Sequence, residues 1–96
     1  MNRFLAVLLL LSGPAWATQD GWPALYDVTD VESDDVLNIR EAPNASAPIL
    51  GTLSHDAANV EVIAPNDEYT WGLVNSGELS GWVSFRFLAR QSPQLD

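Results

Sequence analysis

The sequence predicts an all-β domain, a small barrel of about five to six short antiparallel strands with one 3₁₀ turn near the C-terminus. Three observations lead there. Between Ala24 and Leu88 the apolar residues fall in short runs, and no window keeps a helical period for long. Gly, Pro, Asn, Asp and Ser separate the runs, and these residues supply turn geometry. The alternation is clearest in Leu37-Asn38-Ile39-Arg40, where Leu37 and Ile39 share one face and Asn38 and Arg40 the other.

Taken in order, the strands are expected at Leu25 to Thr29, Leu37 to Arg40, Ile49 to Leu53, Val60 to Ile63, Trp71 to Val74 and Gly81 to Ser84. Their connections carry turn chemistry. Glu41 to Pro48 is a loop with prolines at both ends of its centre, Pro65-Asn66-Asp67-Glu68 is a polar turn, and Asn75-Ser76-Gly77 starts a hairpin connection. Phe85-Arg86-Phe87-Leu88 is too short for a stable helix and fits one 3₁₀ turn plugging an end of the sheet. Period two predicts a shared interior of Leu37, Ile39, Val62, Val74 and Val83. Closing the sheet into a barrel would remove its exposed edges.

The N-terminus reads as an export signal over residues 1–17. Arg3 supplies the positive start, Phe4 to Leu11 is an apolar run, Gly13-Pro14 breaks it, and Ala15-Trp16-Ala17 is an A-x-A cleavage pattern. A membrane anchor needs about 18 or more apolar residues, which this run does not reach. Residues 18–23 form an N-terminal segment, 24–90 the domain, and 91–96 a flexible tail. The expected product is exported, periplasmic or secreted, with no membrane insertion after cleavage. Roughly 80 residues then remain for one modest core, worth about 4 to 12 kcal/mol. There is no cysteine, so no disulfide adds to it.

The charge is lopsided. Four arginines and no lysine face 13 acids, a formal charge of −9, and losing Arg3 with the signal takes it one unit further. Such a surface repels phosphate backbones and anionic headgroups, so no nucleic acid is expected as a partner, whereas a cationic partner is easier.

The ordered segments Leu37-Asn38-Ile39-Arg40 followed by Pro43, Ile49-Leu50-Gly51-Thr52-Leu53, Val60-Glu61-Val62, Trp71-Gly72-Leu73-Val74 and Gly81-Trp82-Val83 with Leu88 resemble the bacterial SH3 (SH3b) domain. The resemblance spans Ala24 to Ala89. It implies an SH3-like β-barrel and a stand-alone binding module of the bacterial cell envelope, holding a peptide or glycan such as a peptidoglycan component. Two positions depart from the family: Ala57-Ala58 replaces a frequent glycine, and Leu73 stands where a polar residue is usual.

No catalytic constellation is legible, and no enzyme, cofactor or metal is expected. His55 is the only imidazole, so a serine triad would have to draw it from the turn Ser54-His55-Asp56. Asp27, Asp30, Glu32, Asp34 and Asp35 are dense, but they lack the alternate spacing, central glycine and distant glutamate of an EF-hand loop. Arg40 is expected to anchor the following loop through carbonyls or acids.

The aromatic residues are the candidate ligand-binding set. Period two puts Trp71 and Leu73 outside together, with Tyr69 in register if the strand begins early, and Trp82 opposite Val83 joins them. The Trp22-Pro23 segment is placed to fold over them. Flat, rigid aromatic faces suit sugar rings and peptide backbones, and Glu68 and Glu78 nearby favour a cationic group on the ligand. A second function fits the charge: an interaction subunit or inhibitor that docks on a basic exported protein.

Overall fold

The computed structural model describes residues 21–92, so residues 1–20, which include the span expected to be an export signal, and residues 93–96 lie outside the described part. Seven antiparallel strands form one sheet: β1 Ala24–Val28, β2 Val36–Arg40, β3 Ile49–Ser54, β4 Val60–Pro65, β5 Trp71–Ser76, β6 Leu79–Ser84 and β7 Leu88–Arg90. A 3₁₀ turn, η1, spans Phe85–Phe87 between β6 and β7, where the sequence places it. No α-helix occurs among the described residues, and none of their segments is a helix able to cross a membrane.

The strand order is β3-β2-β6-β5-β4-β1-β7, and the two ends do not pair, so the sheet is open. Neighbours β4, β5 and β6 follow one another along the chain because each is joined by a short polar turn. The β5–β6 turn uses Gly77 at φ +64, a conformation that side chains other than glycine adopt at a strain. By contrast, β1 is sequentially first yet sits between β4 and β7, with Tyr26 opposite both Val60 and Arg90.

Period-two burial holds for the five residues expected to share the interior. Ile39, Val62, Val74 and Val83 have no exposed surface, and Leu37 is buried beside them. Tyr26, Val28, Leu53, Val60 and Leu88 complete the interior, so each strand supplies at least one core side chain. Burying each such aliphatic group contributes about 1.5–3 kcal/mol, which makes these residues the principal stabilising set.

Between β2 and β6 there is one register pair, Arg40 with Trp82. The close approach there requires Gly81: a Cβ at that position would lie 2.5 Å from Ile39 Cγ2 and 2.9 Å from the Arg40 carbonyl oxygen. The sheet also curls enough for Leu79 of β6 to fill the space over Gly51 of β3. Two register shifts add to the curl: Leu50 is extra in β3 opposite Ile39 and Arg40, and Ile63 is extra in β4 opposite Val74 and Leu73.

Three expectations need correcting. A seventh strand, Leu88–Arg90, pairs with the free edge of β1, which the sequence leaves unassigned because three residues are too few to show alternation. Gln91 does not begin a frayed tail. Its backbone N–H donates to the Leu25 carbonyl at 3.0 Å, and its side-chain amide donates to Asp27 Oδ1 at 2.9 Å and Asn59 Oδ1 at 2.8 Å. Trp22 does not cover Trp71 and Trp82. It stacks on Tyr26 at 6.2 Å and 5°, leans on Phe85, and carries the Arg90 guanidinium 5.1 Å above its ring.

Candidate functional site

The outer face of β2, β6 and β5 is built by the residues that alternate with the core. Gly72, Val74 and Val83 point inward, so Trp71, Leu73 and Trp82 point outward, all three half-buried. Register then sets their neighbours: Leu73 lies directly opposite Trp82, Trp71 opposite Ser84, and Arg40 opposite Trp82 on the other side. A cross-strand aliphatic–aromatic pair of this kind adds about 0.2–1 kcal/mol. The face therefore presents two indoles and a leucine on adjacent strands.

Trp71 is aimed by the turn before it. Asn66 Oδ1 accepts from the backbone N–H groups of Thr70 and Trp71 at 2.8 and 2.9 Å, while the Asn66 N–H donates to the Trp71 carbonyl at 2.9 Å. The Asn66 amide also donates to Glu68 Oε1 and Thr70 Oγ1, both at 3.1 Å. This role of Asn66 was hidden in the sequence, where only the turn composition Pro65-Asn66-Asp67-Glu68 signals it. Tyr69 sits within the same turn at φ +60 and is 65% exposed. Its left-handed backbone takes it out of the β5 alternation, so it does not stand in register with Trp71 and Leu73.

The two acids of the predicted set lie at opposite ends of β5. Glu68 belongs to the Trp71 end, and Glu78 to the β5–β6 turn beyond Ser76. At about 3.4 Å per residue the strand separates those ends by about 17 Å.

A cleft of about 410 Å³ opens at the Trp71 end of the face. Its walls include Asn38 and Arg40 of β2, Ser84 of β6, Trp71, and Arg86 and Phe87 of η1. Two bonds fix this arrangement. Phe85 N–H donates to the Thr70 carbonyl at 3.0 Å, clamping η1 against the turn that carries Trp71. Ser84 Oγ accepts from Arg86 N–H at 3.2 Å and caps η1. Trp71 is the one residue of the predicted ligand-binding set that lines the cleft. Arg86 and Phe87 were legible only as parts of a tight turn, since a three-residue 3₁₀ segment has no periodicity to orient them.

Arg40 does anchor the loop that follows it. Nη1 donates to the carbonyl of buried Ala47 at 2.9 Å, while Glu41 N–H donates to the Pro48 carbonyl at 2.9 Å and closes the loop at its base. The acids elsewhere are engaged differently. Asp27 Oδ1 accepts from the Gln91 amide and from Asn59 N–H at 3.1 Å, and these bonds hold its carboxyl below the usual aspartate range, the Gln91 bond most strongly. No three acidic or histidine side chains converge as a metal-holding group among the described residues. In the turn Ser54-His55-Asp56 the Ser54 hydroxyl donates to Asp56 Oδ1 at 3.2 Å, and His55 Nε2 stands 4.0 Å from the same oxygen.

Comparison of the chain with protein-family models, curated proteins and solved structures yields no match.

Proposed function

We propose that the chain is a non-catalytic, exported binding module of the bacterial cell envelope, an SH3b-like barrel whose outer β2–β6–β5 face holds a peptide or glycan such as a peptidoglycan component. The observation that carries this reading is the adjacency of outward Trp71, Leu73 and Trp82 beside a cleft that Trp71 shares. Indole faces and a leucine give a ligand large contact area at little side-chain entropy. The curl of the open sheet, with Leu79 laid over Gly51, supports a barrel-like shape. The export signal at residues 1–17 supports the envelope location.

The test is retention of the purified chain on a cell-wall preparation at low and moderate salt. Trp71→Ala and Trp82→Ala are each expected to weaken retention about tenfold, on the scale of one lost aromatic contact. Unchanged retention in both variants would remove the aromatic face from the account.

The charge of −9 supports a second reading, docking as a subunit or inhibitor on a basic exported protein. That association would weaken steeply as salt is raised, because screening acts on exposed charges. Binding indifferent to salt would argue against it.

A further inference from the structure

We infer that the cleft beside Trp71 takes a zwitterionic peptide, its carboxylate on the guanidinium groups of Arg86 and Arg40 and its ammonium group toward Asp35. This rests on reading the outer face as a binding surface, and it assigns that surface a ligand chemistry.

The chain carries 13 acids and only four arginines, yet two of those arginines line one cleft. Among the described residues neither has a carboxylate within 4.0 Å, and the single basic-to-acidic contact at that distance is His55 with Asp56. On so acidic a surface, arginines would ordinarily find carboxylate partners. Arg40 gives one donor to Ala47 and keeps the others. The Arg86 side chain makes no hydrogen bond to another described residue and lies over Phe87, 5.4 Å from the ring centroid. A planar guanidinium resting on an aromatic ring and facing a cleft is set to bind a carboxylate through two parallel N–H bonds.

The remaining walls suit a peptide. Trp71 and Phe87 offer apolar faces, while Asn38 and Ser84 offer an amide and a hydroxyl to backbone groups. Asp35 lines the same cleft, and its Oδ1 accepts from Val36 N–H at 2.7 Å, which leaves the second oxygen for a cation. One ligand that satisfies both signs must carry both. A peptide does; a chain of N-acetylated sugars carries no ammonium group.

The sign of the effect separates this site from non-specific attraction. Converting ligand carboxylates to amides should improve adhesion of an anionic protein through bulk electrostatics, but should weaken binding at an arginine pair. The test compares retention of the purified chain on a native cell-wall preparation with the same material after carboxyl amidation, and after amine acetylation.

Amidation is expected to weaken retention about tenfold or more, on the scale of a lost charge-assisted pair. Arg86→Gln should weaken it equally on native wall, with no further loss on amidated wall. The Arg86 side chain is exposed, so this variant should keep its fold, and a wild-type circular dichroism melt checks that. Acetylation should weaken retention about threefold, a loss absent from Asp35→Asn. Equal retention on native and amidated wall, with Arg86→Gln like wild type, would overturn the carboxylate site while leaving the aromatic face intact if Trp71→Ala still binds less. Insensitivity to acetylation would overturn the Asp35 assignment. Absence of retention on every preparation would overturn both this inference and the reading beneath it.

Discussion

Arg40 faces Trp82 as the single register pair joining β2 to β6. Backbone pairing between the β3–β2 arm and the rest of the sheet is confined to this position, and side-chain packing of Ile39 at Gly81 and of Leu79 over Gly51 supplements it. Arg40 acts on both sides of that joint, since its backbone meets β6 and its guanidinium reaches forward to Ala47. On its other side Trp82 pairs with Leu73 of β5, so Arg40, Trp82 and Leu73 form one row across three strands.

Substituting Arg40 by Gln should release the loop from Glu41 to Pro48. The lost bond involves a charged donor and strands the carbonyl of buried Ala47, so destabilisation of about 1–2 kcal/mol is expected in a urea titration. An unchanged midpoint would show that the bond contributes nothing to stability.

Gly81→Ala tests the joint directly. The added methyl would meet both Ile39 Cγ2 and the Arg40 carbonyl, and overpacking of this kind costs about 1–3 kcal/mol. At Gly77 no atom lies within 4 Å of an added Cβ, so Gly77→Ala should show only the strain of its positive φ, about 1 kcal/mol. Thermal melts of the two variants compare these causes.

Trp22→Ala removes a ring stacked on Tyr26 and covered by Arg90. A loss of about 1–3 kcal/mol is expected from the aromatic and cation–π contacts together. Retention on cell wall should stay at the wild-type level once the variant is folded, because Trp22 packs away from Trp71 and Trp82. A parallel fall in retention would place Trp22 in the ligand's path.

Asp27 gives the acid limb of the stability profile a specific contributor. Its carboxyl titrates below the ordinary aspartate value in the folded chain, so the unfolded chain binds the proton first as pH drops. The stabilisation is therefore complete above about pH 4 and is lost as pH falls through the folded value. The difference in melting temperature between wild type and Asp27→Asn should shrink over that interval. A difference constant from pH 6 to pH 2 would refute the assignment.

Six of the seven strands and the 3₁₀ turn were legible because their signals are local. Leu37 and Ile39 alternate with Asn38 and Arg40 within one strand, and Val74 and Val83 are set off from Trp71, Leu73 and Trp82 by the same period. Turn residues mark the boundaries independently of what the strands pair with. From these alone came the buried set and the outward aromatic residues.

Other features depend on residues far apart in sequence. Leu88–Arg90 is a strand because β1 offers it a free edge, and Gln91 is held because Asp27 and Asn59 converge on its amide. The extra residues Leu50 and Ile63 interrupt the period where the sheet bends, and Tyr69 leaves it because the Asn66 turn needs a left-handed residue there. Arg40, Arg86 and Phe87 meet at one cleft only because η1 is clamped to the Thr70 carbonyl. Alternation along a strand determined which side chains are buried and which face outward. Pairing between strands, which brings distant segments within hydrogen-bond reach, decided which of those outward side chains become neighbours.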